Sequence, residues 1–301
     1  MSQTDTNTTT AGDVPSIVAT SIHDIKHIAT LPGVALKIMN LADNPDSTAE
    51  DVKQVIESDP ALSTRVLKVV NSSFYGFSRQ ISSIHHAVVL LGLTAVKNIA
   101  IAASLNKVFR GERICPEFDA RDLWTHSIAV ASGARSLAVQ TGLSLPDEAF
   151  LAGLIHDVGI IVELQSCRKQ FVEIIAHLSD DQNLTFLKAE EQTLGATHES
   201  FGAALCRKWK FPVNLEYVAG FHHCPMELQD AQRTLPAIVH VADVMAARIG
   251  VGYTRTVEST MVDHEIFKAL NLSETDLADL EKSLPEAIED TQQLLSDGTA
   301  G

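Results

Sequence analysis

Residues 46–70 read DSTAEDVKQVIESDPALSTRVLKVV and hold two helices together with their start signals. Asp46-Ser47-Thr48 ahead of Ala49-Glu50-Asp51 is a polar cap followed by an acidic first turn, and Asp59-Pro60 opens the second helix. Val52, Val55 and Ile56, then Leu62, Val66, Leu67 and Val70, recur every three or four residues, so each helix has one apolar face. The same spacing runs outward from about residue 22, and Ser273 before Glu274 and Asp276 signs another start near the end. Strict alternation never persists, so an all-α fold is expected. Punctuation falls at Leu31-Pro32-Gly33, Tyr75-Gly76, Gly111, Gly142 to Pro146, Phe211-Pro212 and Cys224-Pro225. The stretch 111–118 is the expected boundary between two packed helical lobes, 23–112 and 118–250. A disordered Thr-rich tail (1–22) is expected before them, and an acidic helical extension (251–301) after them.

Composition narrows the function. Lys and Arg number 23 against 38 Asp and Glu, a formal charge of −15 over 301 residues. That field repels nucleic-acid backbones and anionic membrane surfaces, so neither is expected as a partner. Hydrophobic residues make up 45% of the chain, enough for a sizeable core. Cys115, Cys167, Cys206 and Cys224 form no CxxC pair, which fits reduced thiols in a cytoplasm, and nothing at the N-terminus marks secretion. Residues 87–105 are apolar enough to suggest a membrane span, but Lys97 and Asn98 sit at the centre and no basic flank follows. A buried helix is expected there, and no membrane insertion. Residues 271–301 carry eight acidic side chains against one lysine, with leucines spaced for a thin stripe, which reads as a docked helix with a solvated face.

Twelve histidines stand against this acidic background. In the second half the order is Asp122-x3-His126, His156-Asp157, His198, His222-His223 and Asp243. Imidazole with carboxylate suits Fe, Mn, Zn or Ni, and such a set has donors enough for one ion or for two that share a water. Asp122 and His126, four apart, lie on one helix face. His156-Asp157 falls within the apolar run 149–162, and an ionised Asp157 buried there needs a cation, a metal or a strong hydrogen-bond network. A single histidine on an apolar helix, such as His240, is more often a packed core residue. His23, His27, His85, His86, His177 and His264 follow no such pattern and are read as surface or packing residues. No G-x-S-x-G motif is present, so serine hydrolysis has no support.

The order His126, His156-Asp157, His198, His222-His223, Asp243 resembles the HD superfamily of metal-dependent phosphohydrolases, in particular its HD-GYP branch, which hydrolyses cyclic di-GMP. The first half is similar to a narrower group. Leu31-Pro32-Gly33, Asp59-Pro60-Ala61-Leu62-Ser63-x-Arg65-Val66-Leu67, Asn71-Ser72-Ser73-Phe74-Tyr75-Gly76, Ile81-x2-Ile84-x2-Ala87 and Leu91-Gly92 match the HDOD domain, a bacterial signalling relative of the HD enzymes. This resemblance, over about 24–250, implies an all-α fold, a helical N-lobe on an HD-like lobe, and a regulatory role. Two departures from the phosphodiesterase pattern bear on turnover. Ile160 stands where the HD-GYP branch has a phosphate-binding lysine, and Cys224-Pro225-Met226-Glu227-Leu228 replaces the Gly-Tyr-Pro loop.

The expected function is therefore a cytoplasmic bacterial signalling protein whose HD-like lobe binds divalent metal and which works mainly by contacts with other signalling proteins. Its amphipathic helices also permit a homodimer. The rival is a metal-dependent phosphohydrolase acting on a cyclic dinucleotide or nucleotide through a bridging hydroxide, with Asp157 central to catalysis. Arg65, Lys97, Arg121 and Arg248 are its candidate positive charges. A third reading makes the cluster a hydrogen-bonded polar core without metal.

Overall fold

The structure, a computed structural model, describes residues 14–24, 33–42, 47–72, 75–106, 108–109 and 113–295. Residues 1–13, His27, Leu31-Pro32, Ser73-Phe74 and Gly111 lie outside the described residues. The helices are α1 (Ser16–Asp24), α2 (Gly33–Ala42), α3 (Ala49–Glu57), α4 (Pro60–Val70), α5 (Ile84–Leu91), α6 (Leu93–Leu105), α7 (Ala120–Thr141) and α8 (Pro146–Ile155). They continue as α9 (Val158–Ser166), α10 (Arg168–Asp180), α11 (Phe186–Leu194), α12 (His198–Trp209), α13 (Val213–Phe221), α14 (Asp230–Arg248), α15 (His264–Leu270) and α16 (Glu274–Leu295). No β-strand occurs among the described residues, so the fold is all-α as expected.

The opening stretch folds as its signals require. Thr48 and Asp51 close a capping box on α3: the Asp51 N–H donates to Thr48 Oγ1 (3.3 Å) and the Thr48 N–H donates to Asp51 Oδ2 (2.8 Å). Asp59 accepts from the Leu62 N–H (3.0 Å) with Pro60 in the first turn of α4. Val52, Ile56, Leu62, Val66 and Val70 turn inward, giving the N-lobe of α2 to α6 its core. The apolar run 87–105 is not one helix. It breaks at Gly92 into α5 and α6, and α6 is buried from Ile99 to Leu105.

In the second lobe α7 packs along α8 and α14, and α12 lies against α9 and α13. The run Pro146–Ser166 is long and apolar enough to cross a membrane, yet its most apolar 18 residues are 89% buried inside the protein, where they form the lobe's centre. It is not one uninterrupted helix, as the apolar pattern of 149–162 suggests. His156 and Asp157 form a turn between α8 and α9. The four cysteines are unpaired.

Two segments depart from the expected divisions. Residues 16–24 are not part of a disordered tail: Val18 is buried and Ser21 meets Cys167 (3.5 Å) as α1 docks on α9 and α12 of the second lobe. The acidic end is one docked helix. α16 buries Leu277, Leu280, Leu284 and Ile288 against α7 and reaches α4, so only its outer face is solvated. Its end is fixed on the N-lobe, where Asn106 Nδ2 donates to the Leu295 carbonyl (3.1 Å) and Lys68 Nζ to that of Gln293. A second tie between the lobes is the Tyr75 hydroxyl, which donates to Asp147 beneath the Arg135 guanidinium, 5.2 Å from the ring centre. Leu284 has no exposed surface, so Leu284→Ala is expected to cost about 2–5 kcal/mol, read from the urea midpoint. A shift near zero would mean that α16 is only loosely applied.

Candidate metal centre

Seven side chains meet at the junction of α7, α8, α9, α12, α13 and α14. His126 lies in the second turn of α7, and His156 and Asp157 form the turn between α8 and α9. His198 opens α12, His222 and His223 follow α13, and Asp243 comes from the middle of α14. His126, His156, Asp157, His198 and His222 have no exposed surface, and Asp243 has 1%.

Glycines bring these elements together. A Cβ at Gly153 would stand 2.6 Å from the Ala131 Cα of α7, and one at Gly159 would strike the His198 carbonyl and approach the Gly202 nitrogen to 2.7 Å. The turn is thus pressed on α7 from one side and on α12 from the other. Asp157 occupies the N-cap position of α9, but its carboxylate makes no capping bond and points into the cluster.

The atoms there converge as acceptors. His198 Nδ1 lies 2.9 Å from each Glu190 oxygen and His222 Nδ1 lies 3.1 Å from the Val218 carbonyl, so both protons sit on Nδ1 and both Nε2 lone pairs face inward. Those Nε2 atoms are 3.4 Å apart, and each is 3.4 Å from Asp157 Oδ1. His223 Nε2 is 3.1 Å from His198 Nε2. Neither Asp157 oxygen is hydrogen-bonded, nor is His156 Nε2. Such lone pairs repel unless a cation lies between them. Metal–nitrogen bonds of about 2.1 Å separate neighbouring donors by roughly 3.0 Å in octahedral and 3.4 Å in tetrahedral geometry, the spacing found here.

On the other side of Asp157, Oδ2 is 3.3 Å from His156 Nε2, which is 3.8 Å from Asp243 Oδ1. His126 Nε2 meets the same Asp243 oxygen at 2.8 Å. Asp157 therefore has Oδ1 towards His198 and His222, with His223 beside them, and Oδ2 towards His156, with His126 and Asp243 beside it, while His222 is also within reach of His156 and Asp243. The residues present fit one or two divalent ions.

Asp122 does not join them. It lies one helical turn nearer the start of α7 than His126, where its side chain is exposed and its backbone carbonyl accepts from the Tyr253 N–H (3.0 Å). Sharing a helix face does not place two residues at the same depth, and the helix end at Asp122 reaches water. His240, set aside as packing, donates from Nδ1 to the His222 carbonyl (2.7 Å) and lines the approach to the site.

Three buried carboxyls were not legible as site residues. Glu190 backs His198. Glu199 accepts from the His223 N–H (3.1 Å) and fixes the His222-His223 turn. Glu163 is fully buried with neither oxygen hydrogen-bonded. A cavity of about 590 Å³ opens on His223 and Asp243, walled by Glu227, Glu258, Asp263 and Glu265. Among the described residues no lysine or arginine lines it. Of the four candidate cations, Arg121 turns to Asp119 (2.6 Å), Arg248 donates to the Thr260 carbonyl (2.7 Å), and Arg65 and Lys97 belong to the N-lobe.

Burial opposes protonation of His156, but the Asp157 and Asp243 carboxylates outweigh it and raise its pKa to about 9. Burial also pushes Glu163 and Glu190 well above the carboxylate range; the Glu190 carboxyl raises Glu163 further, whereas contacts with His198 and Glu163 offset part of the rise in Glu190, so the proton the pair shares sits on Glu163 and Glu190 faces His198 as the carboxylate. All three pKa values are raised, and the sign is common. The stabilisation from protonated His156 is complete below the free-histidine value of about 6.5 and is lost as pH climbs through about 9. The two glutamates add to the same loss from the free-glutamate value of about 4.5 upward, for as long as they stay protonated in the folded protein. Metal-free protein is thus expected to melt at steadily lower temperature from pH 6.5 to 9.5, and His156→Gln to flatten that slope, as read by calorimetry with chelator. A rising melting temperature would contradict the assignment.

A family model described as HDOD domain matches residues 28–225. A crystal structure of an HDOD domain protein with unknown function from Geobacter sulfurreducens superposes with a TM-score of 0.76 at 26% identity, over 92% of this chain and 97% of that one. A candidate phosphohydrolase from Shewanella amazonensis SB2B superposes at 0.71 with 23% identity, over 93% and 98%, a likeness of fold. An uncharacterised protein of Treponema pallidum is 27% identical over 208 residues, or 68% of this chain. This chain spans 40% of that curated relative's length.

Proposed function

The chain belongs to the HDOD domain family, and from that we propose that it is a bacterial signalling protein, cytoplasmic, whose HD-like lobe binds one or two divalent ions and which acts mainly by contact with other proteins. One observation carries the metal part: two imidazole lone pairs and a carboxylate oxygen face one another at 3.4 Å with no exposed surface. His126, His156, Asp157, His198, His222, His223 and Asp243 would hold the ions. Fe, Mn, Zn and Ni all accept this mixture of imidazole and carboxylate.

The contact part is supported by what surrounds the centre. Ile160 is fully buried and offers no cation where a phosphate would need one, and the cavity walls are acidic. An anionic ester would enter against the wall charge, without a residue to orient it. Exposed Val89 (67%) and Leu90 (47%) on α5 give the N-lobe an apolar surface for a partner.

The test is elemental analysis of protein purified without chelator. About one or two ions per chain are expected, and under about 0.1 would end the metal reading.

The second reading, a metal-dependent phosphohydrolase, is favoured by the cavity, which reaches His223 and Asp243 and has the size of a small-molecule site. A divalent ion bound there would supply Lewis-acid activation of a phosphoester. The chain's own part would be to hold the donors and to keep water out on the Ile160 side. Hydrolysis of a cyclic dinucleotide or nucleotide by Mn- or Fe-loaded protein, lost in Asp157→Ala, would favour this reading over the first.

A further inference from the structure

Resting on the metal reading above, the geometry points to Glu190 as a positioning residue that fixes His198 and makes the His198–His222–His223 group the tighter half of the centre. The outer nitrogens of three other histidines meet backbone carbonyls: His156 Nδ1 that of Gly153 (2.7 Å), His222 Nδ1 that of Val218 (3.1 Å) and His126 Nδ1 that of Val251 (3.3 Å). His198 Nδ1 instead meets a carboxylate, with both Glu190 oxygens at 2.9 Å.

A carboxylate in that position does two things. It holds the proton on Nδ1, so that Nε2 presents its lone pair towards Asp157, His222 and His223. It also makes that nitrogen a stronger donor than a carbonyl partner would. Glu190 is fully buried on α11, and Phe186 from the same helix packs edge-on against the His198 ring (5.8 Å between centres). Glu163, fully buried on α9, faces Glu190 and is the second acid behind the His198 contact. A buried carboxylate opposes folding unless it is paired, and Glu190 is paired with the His198 Nδ1–H.

The other half of the centre is engaged with itself. His126 Nε2 and Asp243 Oδ1 are already hydrogen-bonded at 2.8 Å, and an ion binding there must break that bond first. In the His198 group the contact to break is His198 Nε2 with His223 Nε2 (3.1 Å), a neutral imidazole pair and a weaker bond than the imidazole–carboxylate one. The two halves therefore load in order.

The experiment is a Co²⁺ titration of chelator-stripped full-length protein by equilibrium dialysis, with two variants. The wild type is expected to bind in two unequal steps. Glu190→Gln keeps the shape and an acceptor but not the charge, and is expected to weaken the tighter step about tenfold. Glu190→Leu removes both and is expected to weaken it about a hundredfold. Long-range ¹H–¹⁵N spectra of the metal-free proteins give a readout independent of metal: His198 stays in its Nδ1–H form in the Gln variant and leaves it in the Leu variant. A Leu variant within twofold of the wild type would overturn the inference and leave the metal reading standing. If the wild type takes up no Co²⁺, both fall. If the Leu variant does not fold, the Gln variant decides, and unchanged affinity in it overturns the proposal.

Discussion

Replacing Gly159 by alanine is expected to destabilise the protein by at least about 3 kcal/mol and to remove its metal binding at the same time. The new Cβ would strike the His198 carbonyl and stand 2.7 Å from the Gly202 nitrogen. Both obstacles are backbone, which has no rotamer to change, so α9 and α12 must separate. Asp157 lies two residues before Gly159 and His198 opens α12, so separation also pulls apart the oxygen and nitrogen now 3.4 Å from one another. Two measurements read the two effects: the urea midpoint, and metal per chain under conditions where the variant is still folded. A variant with wild-type stability would show that α9 does not lie this close to α12.

Asp157→Asn is expected to do the reverse, removing metal while sparing the fold. The carboxylate is the charged group shared by both donor sets, and a neutral amide cannot balance divalent charge in a buried site. Bound metal should fall from about one or two ions per chain to under about 0.1. The fold should survive because Asn keeps the size of the side chain and the loss is confined to the pairing of the carboxylate with protonated His156 (3.3 Å). Elemental analysis and a melt against chelated wild type check the pair of outcomes. Lost stability with metal content unchanged is the opposing result, and it would make the cluster a polar core.

The sequence revealed those features whose causes lie within a few residues of one another. The caps at Thr48 and Asp59 and the stripes that follow them depend on neighbours three or four positions away, and these appear as written. The donors were visible for a different reason: His156-Asp157 and His222-His223 are conspicuous beside apolar segments. Depth was not visible. Asp122 has the right chemistry and spacing but stands one turn too near the helix end, and only the packing of Tyr253 and α14 around α7 fixes that boundary. Glu190 was missed because nothing local tells which acid of α11 turns inward. The break at His156 was hidden by an unbroken apolar pattern, since turn residues usually announce themselves by being polar and exposed, whereas these two are polar and buried.

Mechanically, the N-lobe has no free hinge. The chain's first described helix, α1, belongs to the second lobe, so the N-lobe is a guest inserted between α1 and α7 of its host. It is pinned again where Tyr75 reaches Asp147, and once more where Lys68 and Asn106 hold the end of α16. A body attached by one connection can swing about it, while one held at several separate places can only press or strain against its supports. Force applied to α4 would pass along α16 to α7, the helix that carries His126, as a small shift in packing rather than a rotation of one lobe past the other.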